Sequence, residues 1–134
     1  MQSHKRTIIL LLDDDALTRH ITRLLGSAYV VAGARNARGA VAMIERDPQI
    51  AAVITEQAAG SGDAVESLEA IRLAHPQVRR IMLTSYNNLA SIVHGLHSGA
   101  VQALVQKPVA NEDLLAALCI EVSHAPSSGV RRSA

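Results

Sequence analysis

Five short apolar runs punctuate the chain, spaced at roughly the size of one strand-plus-helix unit, about 20 to 30 residues. They are Thr7 to Leu12, Tyr29 to Ala34, Ile50 to Thr55, Arg80 to Thr84 and Ala103 to Gln106. Each gap carries a helical pattern instead. Leu17, Ile21, Leu24 and Leu25 share one face, and Gly26 supplies a stop. Ala37, Val41 and Ile44 form a second stripe, Val65, Leu68 and Ile71 a third, and Leu89, Ile92, Val93 and Leu96 a fourth that Gly99 closes. Asn111 caps a fifth helix, with Leu115, Leu118, Cys119 and Val122 on its inner face. Strict alternation of strand and helix predicts an α/β fold with a parallel sheet covered on both sides. The first run is apolar at successive positions, as a strand buried between two helical layers must be.

The chain has 134 residues, enough for one self-sufficient core. A single domain over residues 1–124 is expected, with a disordered tail over 125–134, where Pro, Ser, Gly and Arg dominate. A formal net charge of +1 gives no field that would draw nucleic acid or an acidic membrane. Tyr29 and Tyr86 are the aromatic residues, too few for a base-stacking platform. The lone Cys119 excludes an internal disulfide and fits a reducing compartment. No apolar run approaches the length of a membrane span, so a cytoplasmic protein with no membrane partner is expected.

In an open parallel sheet, ligands bind beyond the carboxyl ends of the strands. The residues that follow each strand therefore outline a candidate site. Asp13, Asp14 and Asp15 follow the first run and Glu56 the third; Thr84 and Ser85 close the fourth, and Lys107-Pro108 follow the fifth. Clustered carboxylates repel one another and favour a cation or protons. A few hard oxygen ligands suit Mg²⁺, while Lys107 and Thr84 are donors that a phosphoryl oxygen would need.

Over roughly residues 7 to 122 this layout resembles the receiver domain of two-component response regulators. Asp13 and Asp14 match the acidic pair after the first strand, Thr84 the switch hydroxyl, Lys107 the site lysine and Lys107-Pro108 the lysine–proline step. The run Arg80-Ile81-Met82-Leu83-Thr84-Ser85-Tyr86 and the later Gly99-Ala100 also look like receiver sequence. The resemblance implies a flavodoxin-like, doubly wound sheet of five parallel strands in the order 2-1-3-4-5 with five helices. It also implies a CheY-like, non-enzymatic role in phosphorelay signalling, with a metal site formed by Asp13, Asp14, the residue at 56 and the Ala58 carbonyl. A histidine kinase or a downstream effector is the implied protein partner, and the fourth helix, fifth strand and fifth helix form the face through which a homodimer would assemble.

Glu56 departs from that pattern, because receivers place the phosphate-accepting aspartate there. Its carboxylate sits one methylene further out, and a displacement of about 1 Å can cost on the order of 10²-fold in rate. The expectation is a domain that is not phosphorylated efficiently and in which Mg²⁺ binds weakly or not at all. Such a domain is either fixed in an active-like state or blind to phosphate. Glu56 beside both Lys107 and Thr84 would mark the active-like state, and Glu56 turned to solvent a decayed site. Leu104 takes the aromatic switch position, and Ala59-Gly60 and Ala64 replace the usual Met-Pro and Gly of the following loop.

Blander roles are assigned to the remaining polar residues. Asp15 is expected to cap the first helix, and Arg19, His20 and Arg23 to form its solvated face. His94 and His97 are read as exposed, and Cys119 as a small buried hydrophobe. The alternative function is a small Mg²⁺-dependent phosphotransferase or phosphatase of the haloacid-dehalogenase type, since Asp13 and Asp15 mimic its Asp-x-Asp spacing. Against it stand the short chain and the lack of a second acidic pair after a late strand. The sequence leaves open whether the chain is a stand-alone receiver or the front of a longer protein.

Overall fold

The computed structural model describes residues 5–57, 64–85 and 89–119. Five strands and five helices alternate among the described residues: β1 (Thr7–Leu11), α1 (Asp15–Leu25), β2 (Val30–Gly33), α2 (Ala37–Arg46), β3 (Ile50–Gln57), α3 (Ala64–Ala74), β4 (Arg79–Thr84), α4 (Leu89–Ser98), β5 (Ala103–Gln106) and α5 (Asn111–Cys119). All pairings are parallel, and the order is β2-β1-β3-β4-β5, as expected. The proposed tail and the 124/125 boundary lie outside the described residues.

Alternation along the strands splits the core into two layers. Ile8, Leu10, Ile54 and Leu83 pack with Ile21 and Leu25 of α1 and Leu114 of α5. Ile9, Val53 and Met82 face the other way, against Ala40 and Ile44 of α2 and Leu68 and Ile71 of α3. Gly26 and Gly99 end α1 and α4 at positive φ (55° and 88°), where a Cβ would be strained. Among the described residues no helix is long and apolar enough to cross a membrane.

Several expectations need correction. β3 runs two residues beyond Thr55, so Glu56 and Gln57 lie within the ladder and not after it. Asp14, not Asp15, caps α1: its carboxylate accepts the Leu17 amide at 3.0 Å, and Asp15 is the first helical residue. Asn111 likewise opens α5 from inside the helix.

Two residues of the apolar stripe assigned to α4, Val93 and Leu96, do not face the core, while the side chains of Leu89 and Ile92 lie outside what the structure describes. Val93 is 60% exposed and Leu96 44%, while Gly95 is buried. A Cβ on Gly95 would lie 2.8 Å from Val101 Cγ2 and 3.0 Å from Val65 Cγ2, so the missing side chain is what lets α4 approach α3. Val93 stands nearly opposite Gly95 around the helix and is turned outward by that choice. His94 and His97 are exposed, as read from the sequence. On α5 the buried face is Leu114, Ala117 and Leu118, one position away from the expected stripe. Cys119 is therefore exposed, not buried, and lies beside Tyr29, whose phenol is pushed up in pKa first by burial and then by that thiol. The segment is apolar at so many successive positions that its period does not define one face.

At the amino end of β4, Arg79 and Arg80 are both buried. Arg80 donates to the carbonyls of Ala100 (3.0 Å), Pro76 (3.1 Å), Val78 (2.9 Å) and Gly99 (3.1 Å), and Arg79 to that of Ala117 at 2.9 Å. Burial, then the neighbouring Arg72 and Arg79, lower the Arg80 pKa, while the carbonyl oxygens and the charge of Glu69 make the guanidinium tolerable there. Replacing Arg80 by Met should cost about 3 kcal/mol or more, because several buried carbonyls lose their donor together. A urea midpoint within experimental error of the native value would show that water takes over the guanidinium's contacts.

Candidate functional site

Parallel pairing brings the ends of β3, β4 and β5 level. Glu56 pairs in register with Leu83, and Gln57 with Thr84, which in turn pairs with Gln106. Side chains therefore alternate between two polar sets at one edge. Glu56 follows Ala52 and Ile54 onto the α1/α5 side. Gln57 and Thr84 follow Val53 and Met82 onto the α2/α3 side.

The Glu56 carboxylate forms an ion pair and hydrogen bond with the Lys107 ammonium. Neither group is turned to solvent, with side chains 14% and 24% exposed respectively. Partial burial weakens the screening that makes most surface pairs nearly worthless. The Lys107 backbone is fixed as well, since its N–H donates to the Thr84 carbonyl at 2.8 Å and continues the β4–β5 ladder past Gln106. Lys107-Pro108 is a cis peptide, with Pro108 exposed. Thr84 is almost fully buried, but its register partner on β3 is Gln57, not Glu56. Ser85 is exposed beyond it, and Leu104 is half-buried in register with Met82. Asp13 is exposed in the turn before α1. Ala58 lies outside the described residues.

Two of the expected carboxylates are already engaged. Glu56 is committed to Lys107 and one carboxylate oxygen of Asp14 to the α1 cap. Among the described residues, no group of three His, Cys, Asp or Glu side chains could hold a metal ion. Lys107 holds one oxygen of Glu56 and the Leu17 amide one oxygen of Asp14, so part of the hard-ligand set that a Mg²⁺ ion would use is engaged by other donors.

Two residues of this region escaped the sequence reading. His20 is not on a solvated face: it is half-buried, and its Nε2 lies 3.0 Å from the Val109 carbonyl. The signal was present, because His20 lies three residues after Leu17 and four before Leu24, on the apolar stripe itself. Gln57 is 3% exposed, and neither its Oε1 nor its Nε2 finds a hydrogen-bond partner among the described residues. It is invisible to a reading that ends β3 at Thr55. A buried amide without partners costs stability, so Gln57→Met, of similar length, should raise the unfolding free energy by about 1–3 kcal/mol. An unchanged or lower thermal midpoint would mean that the amide is satisfied by water.

The response regulator receiver domain family matches residues 9–119. Acid tolerance regulatory protein ActR of Sinorhizobium medicae (strain WSM419) is 32% identical over 114 residues, covering 84% of this chain and 58% of that protein. The chain thus spans little more than half the length of that curated relative. Among solved structures, the receiver domain of an HD domain-containing protein from Pseudomonas fluorescens Pf-5 superposes with a TM-score of 0.77 at 23% identity, covering 92% of this chain and 91% of that one. A CheY-like receiver domain protein from Methanospirillum hungatei JF-1 gives a TM-score of 0.73 at 25% identity, with 88% and 94% covered. The haloacid-dehalogenase reading of Asp13 and Asp15 finds no support in these similarities. The order of the sheet, the polar edge and the matched length together make this chain a member of the response regulator receiver domain family, a module of two-component signalling.

Proposed function

We propose that this receiver works without phosphate, its switch site held by Glu56 in place of a phosphorylated aspartate. The observation that carries the reading is the Glu56–Lys107 ion pair. At the acceptor position, a carboxylate one methylene longer than aspartate spans the gap that a phosphoryl group would fill and satisfies the site lysine directly. A nucleophile that is already hydrogen-bonded to an ammonium is a poorer one, and the displaced carboxylate is also misplaced for attack. The inward orientation of Glu56 favours a fixed site over a decayed one. Leu104 supports the same reading, since an aliphatic side chain cannot make the aromatic swing expected of a phosphate-driven switch.

In this reading the domain is a cytoplasmic binding module and not an enzyme, and its output is the protein it engages, a histidine kinase or a downstream effector. Exposed Val93 and Leu96 on α4 support association through the α4–β5–α5 face, including self-association.

Acetyl phosphate with Mg²⁺, read by intact mass, tests the central claim. The native chain is expected to remain unmodified and Glu56→Asp to gain one phosphoryl group. Uptake by the native chain would overturn the phosphate-independent reading. In the same samples without phosphodonor, millimolar Mg²⁺ should leave the native melting temperature unchanged. A rise of several degrees, the size expected for a ligand present well above its Kd, would show that the folded domain binds the cation and would overturn the reading of a weak or absent metal site.

A further inference from the structure

We propose that His20 is a positioning residue that keeps Lys107 on Glu56 by holding the segment that follows the lysine. The inference rests on the reading that the Glu56–Lys107 pair is the working feature of the site, and it adds a residue to which no role there has been assigned.

Lys107, Pro108, Val109 and Ala110 join β5 to α5. On the amino side, Lys107 N–H donates to Thr84. Pro108 has no N–H and is exposed, so it adds no such anchor. On the carboxyl side, Val109 is buried at 5% exposure, and its carbonyl accepts from His20 Nε2 at 3.0 Å. The Val109 carbonyl stands one position before that of Ala110, which accepts the Leu114 amide at 3.1 Å and opens the α5 ladder. It is therefore outside the helix and depends on a side chain or water for a donor.

A carbonyl oxygen can only accept, so the contact requires the proton on His20 Nε2. His20 sits on α1, in the helix that Asp14 caps at the same edge of the sheet. The bond thus ties the helix that begins at the site to the segment that carries the site's ammonium, across a sequence separation of 89 residues. Without it, the Val109 end is held by side-chain burial and the start of α5 alone, and the carbonyl next to the Lys107-Pro108 step loses its donor.

The chain itself supplies an internal reference for testing this. Its lysines are Lys5, which is exposed, and Lys107. An amine held in an ion pair must leave its carboxylate before it can be acylated. Competitive acetylation with a limiting acid anhydride, resolved by peptide mass spectrometry, therefore reports the Lys107/Lys5 rate ratio at fixed pH. His20→Met keeps apolar volume and removes the donor, and should raise that ratio by about fivefold, the ordinary worth of one such bond. His20→Gln can place an amide N–H where Nε2 stood and should return the ratio towards the native value. A purely structural loss would not be rescued in this way, and a melting curve of each variant identifies any that unfolds.

Glu56→Gln separates the two claims. If it raises the Lys107 ratio while His20→Met does not, the ion pair is real and the role of His20 is wrong. If Glu56→Gln changes nothing, the site reading itself fails. Should His20→Met not fold, the native chain still decides the matter through the long-range ¹H–¹⁵N pattern of its histidines. A His20 protonated at Nε2 is required, and a neutral ring protonated only at Nδ1 overturns the proposal.

Discussion

A strand buried on both faces cannot carry a charge in its middle, and this constraint places the ionic groups of the sheet at its two ends. β1, β3 and β4 are buried along almost their whole length. At the amino end of β4, the Arg80 guanidinium is surrounded by carbonyl oxygens. At the carboxyl end, Glu56 and Lys107 neutralise each other. The first solution cannot be switched, because arginine does not lose its proton in a protein and the carbonyls belong to the backbone. The second is made of two side chains at the rim, either of which a competing charge could capture. Structure is thus secured at one end of the sheet, and the capacity for function is left at the other.

That division explains what the sequence could show. The alternation of strand and helix, the two-sided cover of the sheet and the positions of Asp13, Glu56, Thr84 and Lys107 near strand ends follow from hydrophobic period and chain order, which are local signals, whereas the strand order was implied by the family resemblance. The errors arose where tertiary packing decides. β3 continues past Thr55 because β4 offers it a ladder partner as far as Thr84, a fact about the neighbour and not about β3. α4 turns Val93 and Leu96 outward because Gly95 permits a closer approach than any apolar side chain would. The face of α5 was misread because Leu114 through Cys119 is apolar at every position but offers no polar residue to mark the outside. His20 was misassigned through its residue type, although its spacing already placed it on the buried stripe.

The charge balance of the site follows from the same geometry. A receiver that uses phosphate must hold several carboxylates together until a cation or a phosphoryl group arrives, and their mutual repulsion is part of its readiness. Here Asp14 spends an oxygen on the α1 cap and Asp13 faces solvent, which leaves Glu56 as the carboxylate turned inward, already matched by Lys107. A divalent cation entering this edge would compete with Lys107 for the Glu56 carboxylate, and the partial burial of the pair makes that competition costlier than it would be at an exposed pair. In the proposed reading the ion pair therefore takes over the electrostatic role of both metal and phosphate.

A site fixed in this way asks something different of the rest of the domain. Two residues below the polar row of Gln57, Thr84 and Gln106, on the same face of the sheet, lies the row of Thr55, Met82 and Leu104. Leu104 there has no ring to exchange between an inner and an outer position. α4 is meanwhile anchored through Gly95 to Val65 and Val101, contacts that involve no residue of the ion pair. In the proposed reading the outward face with Val93 and Leu96 is set by this packing and does not answer to the carboxyl edge. A phosphate-driven receiver would gain from a face that changes with its site. A receiver held by Glu56 and Lys107 gains from one that stays constant, and the placement of Gly95 supplies it.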